Sequence, residues 1–184
     1  ALVMAVTRTI IRDLARSGSS PADILRETNE RLRESQKGAA FVTIFLGSYN
    51  ITNGRIVFAN GGHLPPFLVA RNGSIVSTGD ATGTIVGMLE DQDYRNAELR
   101  LHPGDTLVLF TDGFTEARSP SGEFYGSARL KTLLQANQNH STSVLCETAV
   151  RDITSFQNDQ LADDLTILAL RRNTKSLSGL FLGN

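Results

Sequence analysis

Two Asn-Gly pairs constrain the middle of this 184-residue chain more than any other feature. Asn53-Gly54 stands between residues 48–52 and 55–59, and Asn72-Gly73 between residues 67–70 and 74–77. The flanking segments are apolar or alternating. An Asn-Gly pair in that setting predicts a two-residue hairpin, because both central positions of the turn take positive φ. Antiparallel neighbours follow. Residues 41–46 form a nearly continuous apolar run, expected as a strand buried on both faces. His102-Pro103-Gly104-Asp105 is expected to join a strand at 97–101 to another at 106–110, so the middle of the chain reads as an antiparallel meander.

Helical patterns lie on either side. Leu2, Val6, Ile10 and Leu14 recur every four positions with Val3 and Ile11 beside them, which predicts one buried face of a helix ending near Ser17-Gly18. Ser20 as N-cap, Pro21 at the first helical position and Asp23 in the first turn start a second helix. Its stripe is Ile24, Leu25, Thr28 and Leu32, and it stops before Gly38. Two more helices are predicted at 127–135 and 143–156, the latter with Leu145, Ala149, Ile153 and Phe156 on one face, and a last strand at 165–170. The order helix-helix, strands, helix-helix, strand predicts α+β. Each helix pair has one apolar face and must cover a sheet, so an antiparallel β-sandwich between helical layers is expected.

Composition narrows the function classes. Hydrophobic residues make up 40% and charged residues 20% of the chain, a globular balance. The net charge of -1 argues against a nucleic-acid partner, which requires a basic surface. The single cysteine, Cys146, excludes an internal disulfide scaffold, favours a cytoplasmic setting, and reads as a small apolar filler in its helix. No apolar stretch approaches a membrane span.

Two acidic signatures could carry chemistry. Thr111-Asp112-Gly113 directly follows the apolar strand at 106–110, and Asp163-Asp164-Leu165-Thr166 directly precedes the last one. If those strands pair antiparallel, the end of one meets the start of the other and the carboxylates share one sheet edge. Converging carboxylates repel unless a cation holds them, and hard oxygen donors suit Mg2+ or Mn2+. Gly113 is expected to let the backbone turn sharply after Asp112 and to leave room for an ion. Either signature alone reads equally as a turn, since Asp-Gly pairs are common in turns; the site reading rests on both flanking core strands.

The runs Phe58-Ala59-Asn60-Gly61-Gly62-His63-Leu64-Pro65-Pro66, the stretch from Leu101 to Ala117, Phe124-Tyr125-Gly126 with Arg129-Leu130, and Asp163-Asp164-Leu165-Thr166-Ile167-Leu168 together resemble one family. It is the PP2C (PPM) superfamily of metal-dependent serine/threonine protein phosphatases, in the SpoIIE-like bacterial branch of sporulation and stress-response proteins. The resemblance spans residues 1–172, taken as the domain, with 173–184 as a C-terminal tail carrying Leu180-Phe181-Leu182. It implies hydrolysis of phosphoserine or phosphothreonine on a protein with two Mn2+ or Mg2+ ions. Asp112 and Asp163 match the family's metal ligands, with Gly113 and Asp164 secondary. It implies an anti-sigma-factor antagonist as phosphorylated partner.

The family's two early aspartate segments are not in the chain, which opens on Ala1-Leu2-Val3-Met4 already inside a helical pattern. The expectation is therefore an N-terminally truncated domain, incomplete in its metal shell and poorly active as it stands, with an upstream sensor or a homodimer contact acting through the first two helices. A catalytically silent PP2C-like binding module and a phosphatase of small phosphoesters are the rival readings. His63 is expected to play a structural hydrogen-bonding role, Glu116 to face solvent, His102 and His140 to be surface loop residues, and Arg171-Arg172 to be a solvated pair.

Overall fold

Helix α1 (Leu2–Arg16) and helix α2 (Pro21–Gln36) form where the apolar spacing and the Ser20-Pro21 start place them. The Ser20 hydroxyl accepts from Asp23 N at 3.3 Å and donates to the Asp23 carboxylate at 2.6 Å, closing the first turn of α2. That hydroxyl, and then Arg26, hold the Asp23 carboxyl below its ordinary range. The computed structural model describes residues 2–36, 41–158 and 164–174. They divide into two compact units: residues up to Pro65 with Gly79–Arg100, and Pro66–Thr78 with residues from Leu101 onward.

The first unit holds α1, α2 and a three-stranded antiparallel sheet of β1 (Ile44–Tyr49), β2 (Arg55–Gly61) and β5 (Ala97–Arg100) in the order β1-β2-β5. Its core joins Ala22, Leu25 and Leu32 of α2 to Ala59 of β2 and to Val86 and Tyr94, with Val3, Val6 and Ile10 of α1 packed against it. Asn29, buried in α2, accepts from Gly87 N at 2.7 Å and donates to Leu89 O at 2.9 Å, so one side chain holds the long connection before β5. The strand expected at 41–46 instead begins at Ile44 and is only half-buried, and Phe41 is exposed. The physical reason is position: β1 is the edge of its sheet and has a neighbour on one side alone.

The second unit holds β3 (Phe67–Val69), β4 (Ile75–Ser77), β6 (Thr106–Phe110), the short helix α3 (Gly113–Glu116), α4 (Gly126–Ala136), α5 (Thr142–Phe156) and β7 (Ile167–Arg171). Its antiparallel sheet runs β4-β3-β6-β7. Central β6 buries Thr106, Leu107, Val108 and Phe110, and the Phe110 ring packs tilted against Phe67 with centroids 4.7 Å apart. α5 turns the expected residues Leu145, Ala149 and Ile153 inward, while Phe156 is half-buried, edge-on to Tyr125. The Ser141 hydroxyl caps α5 by accepting from Val144 N, two residues before the expected start.

Two sequence expectations need correction. The single meander is two sheets, because β5 pairs with β2 whereas β6 pairs with β3 and β7. Residues 101–105 therefore carry the chain from one sheet to the other rather than closing a hairpin. Nor are the Asn-Gly turns two-residue turns with positive φ at both positions. Gly54 and Gly73 take φ of 78° and 89°, but neither asparagine does. Asn72 Oδ1 instead accepts from Ser74 N at 3.0 Å, and Asn53 Oδ1 from Arg55 N at 2.9 Å. The amide side chain caps the turn locally, and glycine alone takes the left-handed position. Among the described residues, no helix is long and apolar enough to cross a membrane.

Candidate metal site

The site is built where β6 ends and β7 begins. The two strands pair antiparallel with Phe110 opposite Ile167. Thr111 carries the ladder one step further: its N–H donates to Thr166 O at 3.1 Å, and its hydroxyl accepts from Thr166 N at 3.1 Å. The same hydroxyl donates to Asp164 O at 3.2 Å. One threonine thus ties the turn bearing Asp112 to the segment bearing Asp164.

Asp112 follows in helical geometry, with φ -56° and ψ -29°. One carboxylate oxygen accepts from Gly113 N at 3.0 Å, and the residue is otherwise exposed. Its carbonyl accepts from Thr115 N and Glu116 N, both at 2.8 Å, which starts α3 and anchors the backbone beneath the carboxylate. Glycine at 113 serves a purpose other than the sharp turn expected of it. Its φ is not in the left-handed region. A Cβ there would lie 2.8 Å from Asp164 O and 3.1 Å from Leu165 Cδ2. The absence of a side chain admits the opposing backbone.

Asp112 and Asp164 are therefore brought to one sheet edge, and Asp163 lies outside the described residues. The donor set there is carboxylate and carbonyl oxygen, which fits a hard divalent cation. It is incomplete: among the described residues, no three His, Cys, Asp or Glu side chains come together as a metal shell.

The remaining candidates sort as follows. Glu116, His102 and His140 are exposed. Burial pushes the Cys146 thiol up, away from reactivity. His63 belongs to a turn organised by Asn60, a fully buried side chain whose Oδ1 accepts from His63 N at 2.8 Å. The Asn60 amide donates to His63 O at 2.9 Å and to Gly79 O at 2.8 Å. The sequence alone gives Asn60 no task, and its place directly before Gly61-Gly62-His63 is the signal it offers. Arg171 is not a solvated residue. Its guanidinium donates to Thr106 Oγ1 at 2.7 Å, His140 O at 2.6 Å and Gln138 O at 2.8 Å, tying the α4–α5 connection to the sheet. Arg172 reaches back to Leu101 O at 3.0 Å. Both find carbonyls that a sequence cannot place beside them.

The sequence profile of the stage II sporulation protein E (SpoIIE) family matches residues 1–173. The chain belongs to the SpoIIE family. As a SpoIIE-family chain it is 28% identical over 172 residues to the phosphoserine phosphatase RsbU of Bacillus subtilis, covering 94% of itself and 51% of that protein. It is 35% identical over 150 residues to Protein IcfG of Synechocystis sp., covering 81% of itself and 24% of IcfG. It thus spans about half or less of the length of these curated relatives. Among solved structures, the PP2C domain of SiaA from Pseudomonas aeruginosa superposes with a TM-score of 0.80 at 27% identity, over 93% of this chain and 69% of that one. The α+β architecture of this SpoIIE-family chain is accordingly that of a PP2C domain.

Proposed function

We propose that this domain is a metal-dependent protein phosphatase that hydrolyses phosphoserine or phosphothreonine. The observation that carries the reading is the β6–β7 register, which seats Asp112 beside the backbone of Asp164 at one exposed edge. Membership in a family with a relative named as a phosphoserine phosphatase supports it.

In this reading Asp112 and Asp163 hold Mn2+ or Mg2+, and Asp164 orients them from outside. Such ions, when bound, supply an activated water at neutral pH and neutralise charge on the phosphoryl oxygens. The chain's own residues do the rest. Thr111 clamps the two acidic segments together, and α3 fixes the Asp112 backbone so that its carboxylate faces solvent where a phosphorylated chain can arrive. The domain occupies residues 1–172 with 173–184 as a tail, and it works in the cytoplasm. Its substrate is a phosphorylated anti-sigma-factor antagonist, and α1 and α2 receive an upstream sensor's signal or a second copy of the chain.

The test is Mn2+-dependent phosphate release from a phosphoprotein by the full-length protein. Asp112→Asn is expected to lower it at least about 100-fold, at the upper end of what disturbing a metal's support costs. The unfolding midpoint should stay unchanged, because Asp112 is exposed. Undiminished release would reject the site assignment; no release from either protein would leave the silent binding module.

A further inference from the structure

At the other end of β6, about 20 Å of strand from Asp112, three arginines converge. Arg71 comes from the β3–β4 turn, Arg171 and Arg172 from the end of β7, Gly104 from the loop before β6, and Gln138 and Asn139 from the α4–α5 connection. They line a concave site of about 240 Å3 that is open on one side. Ordinary ligand clefts measure roughly 300–1,000 Å3, so an occupant here is small.

The walls are held by hydrogen bonds rather than merely adjacent. Gly104 N donates to Arg172 O at 2.8 Å, and Arg172 N to Asp105 O at 3.0 Å. The buried Asp105 carboxylate accepts from Arg71 N at 3.0 Å and His102 N at 2.8 Å. A Cβ at Gly104, whose φ is +96°, would meet Arg71 Cδ at 2.9 Å, so the arginine stem lies directly across the glycine.

The charge is uneven. Among the described residues, no acidic one lines the concavity. Asp105, just behind it, is the negative group touching its walls, and two backbone N–H groups already occupy that carboxylate. The Arg171 guanidinium bonds to neutral oxygens, which leave its positive charge uncompensated.

We propose that this concavity binds a small phosphorylated molecule. The phosphate sits in the field of Arg71, Arg171 and Arg172. Guanidinium groups match a phosphate's planar pairs of oxygens. The site is separate from the Asp112 edge and does not depend on how that edge functions.

The test follows 15N amide spectra of the 184-residue chain at low salt with EDTA present, as inorganic phosphate, glycerol 3-phosphate or acetate is added. Saturable shifts are expected at Arg71, Gly104, Gln138 and Arg172, with a dissociation constant on the order of 1 mM for inorganic phosphate. Glycerol 3-phosphate should bind within about 3-fold of inorganic phosphate and acetate more weakly. Arg71→Ala, which removes an exposed side chain and leaves the loop bonds intact, should weaken phosphate about 2- to 5-fold, while Arg16→Ala on α1 should not. Shifts that never saturate, shifts confined to residues 111–113, or unweakened binding by Arg71→Ala would overturn the proposal. Acetate matching phosphate, or glycerol 3-phosphate failing to bind, would overturn the phosphate assignment.

Discussion

Replacing Gly113 by alanine tests whether the candidate edge depends on two backbones touching. The new methyl would stand 2.8 Å from Asp164 O and 3.1 Å from Leu165 Cδ2. Ordinary contact begins near 3.4 Å, so the 164–165 backbone must retreat by roughly half an ångström, the size of strain that overpacking imposes. Three hydrogen bonds resist, at 3.1, 3.1 and 3.2 Å, all between Thr111 and residues 164 and 166. They already lie at the long end of the useful range and weaken steeply when stretched. Overpacking of this kind costs about 1–3 kcal/mol, and alanine returns up to about 1 kcal/mol through its helix propensity in α3. The expected net loss is about 1–2 kcal/mol, measured as a lower urea midpoint at unchanged slope. Gly47→Ala in β1 is the control: its Cβ would meet Ile56 Cγ2 at 3.2 Å, about 0.2 Å inside ordinary contact, and its nearest neighbours are side-chain rather than backbone atoms. It should stay within about 0.5 kcal/mol of the parent. In the full-length protein, Gly113→Ala should also lower Mn2+-dependent phosphate release by up to about 10-fold, since small misplacements at a reacting centre are expensive. Equal stability of the two variants would refute the close-approach argument, whatever the activity.

Asn60→Ala strands His63 N, His63 O and Gly79 O around a fully buried position, and should cost about 2–4 kcal/mol in denaturant unfolding. Arg171→Leu removes three charge-assisted bonds that join the α4–α5 connection to β6; a loss of about 2–4 kcal/mol is expected, with the first hydrogen-exchange deprotection at residues 138–140. Burial pushes the Tyr94 phenol up to about 12 from 10.0. Below pH 10 the phenol is protonated in both folded and unfolded chains and its contribution is complete. Between pH 10 and 12 the unfolded chain ionises first, so about 2–3 kcal/mol of stability is lost as pH rises through that window. Tyr94→Phe should flatten that loss in alkaline unfolding, because it gives up only two long contacts of 3.4 Å.

Much of the fold was legible in the residues because its signals are local. Ser20-Pro21 and the four-residue spacing of Val6 and Ile10 act within a turn or two of helix, and both helices form where those signals lie. The four-residue spacing that makes Leu145, Ala149 and Ile153 one face of α5 is likewise a property of that segment. The Asn-Gly pairs marked both hairpins but not their turn types. An asparagine can cap a turn with its amide or take positive φ itself, and neighbouring backbone decides between them.

What lay outside the sequence concerns partners distant along the chain. Whether β6 follows β5 in one sheet or joins β3 and β7 in another depends on which apolar faces find cover, not on the loop between them. Arg171 looked like a surface cation until the fold delivered two carbonyls and a hydroxyl to it, and Gly113 looked like a turn residue until Asp164 arrived at its Cα. The sequence by itself determined the four longer helices, most of the strands and the two acidic signatures, through periodicity, capping and turn chemistry. The tertiary structure alone decided which strand ends meet, because antiparallel pairing of β6 with β7 is what sets Asp112 beside Asp164 from 52 positions away in the chain.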